Sequence, residues 1–229
     1  MSFFQRITSS LRDDNLLRRV IGNSLHLFSN NTIALALSVV QGALVTRLLG
    51  PAGFGLLGII MAYASTVNSI FSFRMGELVV RYGGEYLEKE EKDKVSVLVK
   101  AASLTEGFVS LLAFVAVAFT ARLAEANIAK TVGVAWMFTV YAIGLLANFN
   151  IETSMGVLQV TDRIKWQGRI NLLQSVVTTI IIIAVFFSKG TLETILFAYL
   201  LSKTILGLGM FIAAQVQLHR VLGSGWWRE

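Results

Sequence analysis

Six stretches of this 229-residue chain are each long and apolar enough to cross a bilayer: 27–46, 54–73, 101–120, 131–151, 170–188 and 194–216. Between them they hold only two formal charges, Glu106 and Lys203. A crossing helix takes about 20 mainly apolar residues at roughly 1.5 Å each. A water-soluble core of this size has no use for six such runs. The sequence therefore predicts an all-α polytopic membrane protein, one bundle of six transmembrane helices filling a single domain over 1–229. Composition points the same way. Charged residues make up 15% of the chain, against about 25% in soluble domains, and the mean hydropathy is +0.66. The apolar runs lack the period-two alternation of an outer-membrane barrel. The absence of cysteine excludes disulfides and thiolate metal sites.

A net charge of +6 raises the question of nucleic acid, which the distribution of the charge answers in the negative. With the N-terminus placed inside, fourteen of the twenty Lys and Arg residues fall on inner segments. Four, Arg47, Arg122, Lys130 and Lys189, fall on outer ones. This is the positive-inside bias, and it predicts that both termini are cytoplasmic and that the basic excess meets anionic membrane lipids. Residues 1–23 combine Arg12, Arg18 and Arg19 with Leu11, Leu16, Leu17 and Val20, a pattern for an amphipathic segment on the inner leaflet or for a solvated tail. No signal-peptide core precedes the first span, which is read as a retained signal anchor.

Between the spans the punctuation is clear. Gly50-Pro51-Ala52-Gly53 predicts a tight outer turn. The second span carries Gly58, Ala62, Ser65, Ser69 and Ser72 on one helical face, a stripe that lets another helix approach closely. The inner connection at 74–95 repeats Leu78, Tyr82 and Tyr86 every four residues and then runs into mixed charge over Glu88–Lys94, the pattern of a helix extension and a wet turn. The short turn at Ser188-Lys189-Gly190-Thr191 makes the last two spans a hairpin.

Candidate functional residues are few. Gly53-x-Gly55-x-x-Gly58 matches a dinucleotide fingerprint in letters only, because it opens a membrane helix rather than closing a strand. His26 and His219 form no zinc motif, no span holds a carboxylate pair, and no nucleophile–base set is visible, so neither an enzyme nor a cofactor is expected. Lys203 near the middle of a span costs roughly 2.5–3.5 kcal/mol on insertion scales. Glu106 is its obvious partner. The two either form a structural ion pair or line a hydrated cavity, and a snorkelling Lys203 is the third reading. Arg47, Arg74 and Arg81 at span ends either snorkel to head groups or face an anionic substrate. The amides Asn31, Gln41, Asn68, Asn148, Asn150 and Gln174 bond between helices or face water.

Thr46-Arg47-Leu48-Leu49-Gly50-Pro51-Ala52-Gly53-Phe54-Gly55 resembles the first outer turn of polysaccharide biosynthesis proteins. These are the O-antigen and exopolysaccharide flippases of the multidrug/oligosaccharidyl-lipid/polysaccharide exporter superfamily. Met75-Gly76-Glu77-Leu78-Val79-Val80-Arg81-Tyr82, followed by Glu85-Tyr86-Leu87, is similar to the same family's segment after the second span. The similarity is clear over about 15–100 and compatible beyond. It implies an inner-membrane, multi-pass transporter of lipid-linked oligosaccharide, with Arg47, Arg74 and Arg81 on motif positions and Glu106 and Lys203 as further candidates for the substrate cavity. Family members usually carry two bundles around a central cavity. This chain holds about one, so the resemblance implies the N-terminal half of a flippase, with a second six-helix bundle as partner. Alternatives are a gradient-driven drug or metabolite antiporter of the same superfamily, with Glu106 as coupling carboxylate, and a non-transporting assembly protein for polysaccharide biosynthesis.

Overall fold

The computed structural model describes residues 15–223 and 225–227, with side chains from Phe28 onward; the side chains on which the amphipathic reading of 1–23 rests lie outside the described residues. Among the described residues all regular structure is helical. Helix α1 (Asn15–Phe71) has two arms joined at Gly50. A short connection follows: α2 (Met75–Leu78), a π-turn (Val79–Gly83) and α3 (Gly84–Glu88). Then come α4 (Lys92–Ala124), which ends in a second π-turn (Glu125–Ala129), α5 (Ala135–Ala147), α6 (Ile151–Val160), α7 (Lys165–Phe187) and α8 (Leu192–Leu222).

The expected outer turn narrows to one residue. Gly50 adopts φ 71° and ψ 172°, a left-handed φ that glycine takes without steric cost. Pro51 then opens the second arm, where its missing N–H is no loss. The apolar part of α1, Phe28–Phe71, is 44 residues long, about twice what one crossing needs. Its two arms cover the first two predicted spans. Among the described residues, four helices are long and apolar enough to span by themselves: Phe28–Phe71, Lys92–Ala129, Lys165–Phe187 and Leu192–Leu222.

The fourth predicted span is the exception. It does not run unbroken over 131–151. Helix α5 stops at Ala147, α6 starts at Ile151, and Asn148–Asn150 forms the break.

Polar side chains stitch the helices together. Between α1 and α7, Gln41 Nε2 donates to the Ser175 carbonyl at 3.1 Å and to Thr179 Oγ1 at 2.8 Å, and Asn171 Nδ2 donates to Asn31 Oδ1 at 2.8 Å. Between α7 and α8, Gln174 bonds Ser202, and Thr178 Oγ1 donates to Ser202 Oγ at 2.7 Å. These amides take the interhelical option. The apolar core lies around Val45, Leu57, Ile60, Val117, Phe138, Tyr141 and Ile182, all close to fully buried, with Tyr63 edge-on to Phe138.

The stripe on the second arm of α1 does not pack inside the chain. Leu57, Ile60 and Ala64 face the bundle, whereas Gly58, Ala62, Ser65 and Ser69 are exposed. Close helix approach occurs instead at Gly207 of α8. A Cβ there would fall 2.2 Å from the Ala147 carbonyl oxygen, at the edge of the break.

The segments that carry most of the described basic residues meet through hydrogen bonds. Asn31 meets Asn171 near the start of α7, Ser72 meets Glu152, and Ser96 Oγ donates to the Trp226 carbonyl at 2.9 Å. Trp226 is buried there, its Nε1–H donating to His219 Nδ1. The charge run is a solvated surface carrying Glu85–Lys89 and Glu91–Lys94 pairs. The hydrogen bond from Lys89 holds the Glu85 carboxyl below its usual range.

Gly207→Val should lower the thermal midpoint of the detergent-purified protein, by an amount matching about 1–3 kcal/mol of overpacking. Gly58→Ala, whose Cβ meets nothing within 4 Å, should leave the midpoint within about 0.5 kcal/mol of the original.

Candidate functional site: a broken helix and a polar cavity

A helix interrupted in lipid leaves backbone groups that no water can satisfy. Its N-terminal half ends in free carbonyls and its C-terminal half begins with free N–H groups. The two ends also carry partial charge, about half an elementary charge negative and positive respectively. Here α5 and α6 present such ends to each other across Asn148–Asn150.

Glu106 answers the positive end. It is only 9% exposed, and its Oε1 accepts the Glu152 N–H at 2.8 Å while its Oε2 accepts the Thr153 N–H at 2.9 Å. A carboxylate taking two backbone N–H groups at a helix start is charge-assisted and lies on the favourable end of the dipole. A second carboxylate following α4 does the same for α5: Glu125 accepts the Gly133 and Ala135 N–H groups at the start of that helix. The two N-termini of the broken span are thus held by the same helical element.

Lys203 packs beside the other half of the broken helix. It projects from α8 against the last turn of α5, where a Cβ on Gly144 would lie 3.0 Å from its Cδ. Its Nζ stands 4.6 Å from the centre of the Tyr141 ring, a cation–π contact. Of the readings left open for the two charges, the direct Glu106–Lys203 ion pair does not form. Glu106 is matched to the N-terminal end of α6 and Lys203 to the Tyr141 ring, rather than to each other.

Both nevertheless line one cavity of about 110 Å³, together with Ser65, Asn68, Ser72, Ser110, Asn148 and Glu152. Glu152 is the residue that sequence reasoning missed. Its Oε1 accepts a hydrogen bond from Ser72 Oγ at 2.8 Å. Its backbone is pinned from the other side, since a Cβ on Gly76 would lie 2.7 Å from its carbonyl and a Cβ on Gly156 would lie 2.8 Å from that of Gly76. Two glycines thereby let the connection cross α6 backbone to backbone. The one signal in the sequence was the Asn148-x-Asn150 pair inside an otherwise apolar run.

The arginines lie elsewhere. Arg74, at φ 50°, makes an exposed 2.9 Å ion pair with Glu77, and Arg81 lies 5.4 Å from the Tyr82 ring centre. Both line a groove that also touches Glu152. Arg47 sits apart, exposed three residues before the Gly50 kink. No group of three or more metal-ligating side chains occurs among the described residues.

A discontinuous helix beside a polar cavity in a multi-pass helical bundle is a feature found in transporters. The family is shown directly: residues 20–223 match the model of the polysaccharide biosynthesis protein family, and the chain belongs to it. A curated relative, "Inner membrane protein YghQ" of Escherichia coli (strain K12), is 26% identical over 159 residues, covering 66% of this chain and 42% of the relative. The chain thus spans less than half the length of that relative. No solved structure matches.

Glu106→Ala would leave two buried N–H groups without an acceptor, and an unsatisfied buried donor costs about 1–3 kcal/mol. The variant should unfold well below the parent protein in a detergent thermal scan. Glu106→Gln, which keeps one acceptor oxygen, should lose roughly half as much.

Proposed function

We propose that this chain is an inner-membrane, multi-pass protein that carries lipid-linked oligosaccharide across the bilayer, acting as one half of a flippase with a second six-helix bundle. Its membership in the polysaccharide biosynthesis family is the observation that carries this reading. The physical demands of such a cargo support it. A lipid diphosphate bearing sugars is anionic and amphipathic, and it needs a wet cationic surface for its head and a lateral opening for its tail. Arg47, Arg74 and Arg81 on the motif segments and Lys203 inside the bundle are the cations on offer, and Arg and Lys are the side chains that suit phosphate oxygens.

Size argues for the partner bundle. The cavity beside the break is about 110 Å³, well under the roughly 300–1,000 Å³ of pockets that enclose a drug-sized ligand, and the larger groove by Arg74 and Arg81, about 470 Å³, is open to the surface. A sugar head group needs a larger space, which two bundles facing each other would enclose. The exposed small residues of α1, Gly58, Ala62 and Ser65, suit such a face.

In a strain whose surface polysaccharide depends on this protein, Lys203→Ala and Arg47→Ala should each lower that polysaccharide several-fold at unchanged protein level in the membrane, read by immunoblot and by polysaccharide gel. Normal polysaccharide in both variants would remove the cationic roles.

A further inference from the structure

One face of α7 lies apart from the break and its cavity. Lys165, Arg169, Leu172, Leu173 and Val176 follow one another along it at helical spacing. With Asn30 of α1 they line a groove of about 400 Å³. Hydrogen bonds tie the two helices side by side here: Asn171 Nδ2 donates to Asn31 Oδ1 at 2.8 Å, and Ser175 Oγ donates to the Ala34 carbonyl at 3.2 Å. The groove shares no lining residue with the cavity beside the break or with the groove by Arg74 and Arg81.

The groove changes character along its length. Lys165 and Arg169 stand one helical turn apart, where like charges repel. No described carboxylate forms an ion pair with either. The Arg169 guanidinium lies instead 5.3 Å from the centre of the Trp166 ring, and Trp166 is exposed. An exposed tryptophan at the end of a spanning helix marks the head-group level. Leu172, Leu173 and Val176 follow deeper along the same helix, which is long and apolar enough to cross the bilayer, and Leu173 and Val176 are exposed. Two cations without a counter-charge thus stand at head-group level above an aliphatic slot.

We propose that this groove holds a resident glycerophospholipid with an anionic head group. Its phosphate sits between Lys165 and Arg169, its ester region beside the Asn30 amide, and one acyl chain along Leu172, Leu173 and Val176. Arg and Lys suit phosphate oxygens, and basic pockets between spanning helices suit anionic head groups. A zwitterionic lipid would bring its own cation up to the same two cations, so net negative charge is what the site selects. A head group bearing many sugars needs a polar wall for its hydroxyls, whereas Asn30 is the one neutral polar side chain in this lining. Seated there, the lipid bridges the first arm of α1 and α7. The site is independent of which substrate is moved.

The test titrates the purified 229-residue chain in detergent with dioleoyl phosphatidylglycerol or dioleoyl phosphatidylcholine, which share their tails, and follows bound lipid by native mass spectrometry. A single phosphatidylglycerol should bind saturably and at least roughly tenfold more tightly than phosphatidylcholine. Lys165→Gln and Arg169→Gln should each weaken it roughly fivefold, the equivalent of about 1 kcal/mol for a basic residue near an anionic head group. Leu173→Asn, an exposed position whose change spares the cations, should weaken it several-fold through the tail. Arg220→Gln, in a separate groove that Trp166 lines, should leave it unchanged. Inorganic phosphate, which lacks a tail, should not displace the lipid. Equal binding of the two lipids, or an Arg220→Gln variant that loses as much as Arg169→Gln, reduces the effect to unspecific adhesion and overturns the proposal. Displacement of phosphatidylglycerol by an equimolar polyprenyl diphosphate overturns it as well, because the groove would then belong to the cargo.

Discussion

The interaction on which this bundle depends is the clasp between Glu106 and the Glu152 and Thr153 N–H groups in the first turn of α6. Lipid tolerates a broken helix only if the orphaned backbone groups are satisfied by protein. Without a fixed acceptor there, α6 could not begin at Ile151, and Asn148–Asn150 would be drawn back into a continuous span. With it, the chain gains a polar point within the bundle where backbone, carboxylate and ammonium converge. Gly207 makes this possible from the far side: α8 comes so close to Ala147 that no side chain fits between them. Lys203, one turn earlier on α8, is thereby set against the last turn of α5.

The charge pattern follows from the same clasp. Two formal charges in six apolar stretches suggest a pair, because the sequence displays only formal charges. The structure adds the partial charge of the α6 N-terminus and the face of the Tyr141 ring, and these are the partners taken. A direct Glu106–Lys203 pair would satisfy each side chain once and leave the break uncapped. The observed arrangement satisfies the carboxylate and the backbone in the same bonds, and it leaves the ammonium on an aromatic face with donors to spare.

Much of the fold was legible because hydropathy over about 20 residues is a strong signal and needs no partner to be read. Gly50-Pro51 marked the junction within α1, and Thr191 closed the last hairpin with a reciprocal capping bond to Thr194. The break was not legible. Asn148 and Asn150 stood out, but an amide that bonds a neighbouring helix and an amide at a helix end look alike in one dimension. Gln41 is the first kind and Asn148 the second, and only the packing of α4 and α8 separates them. Glu152 was hidden differently, since it falls just past the edge of an apolar run and reads as a boundary charge. The stripe from Gly58 to Ser69 was read as a helical face that lets another helix approach closely, and spacing cannot say whether such a face turns inward or outward.

That outward face bears on how the cavity is reached. Ser65 belongs both to the exposed stripe and to the cavity wall, and exposed Thr105 of α4 borders the same opening. The polar interior is therefore not sealed inside the bundle. It communicates with the flank formed by the second arm of α1 and by α4, and through Glu152 with the groove by Arg74 and Arg81. Hydrocarbon against that flank would strand Ser65, Asn68 and the carboxylates behind them, which bilayers penalise heavily. Water or a second protein surface would not. A chain whose small, polar face borders a charged opening is built to have that face covered by something other than lipid tails, and this is the physical reason to look for the rest of the machine on that side of the molecule.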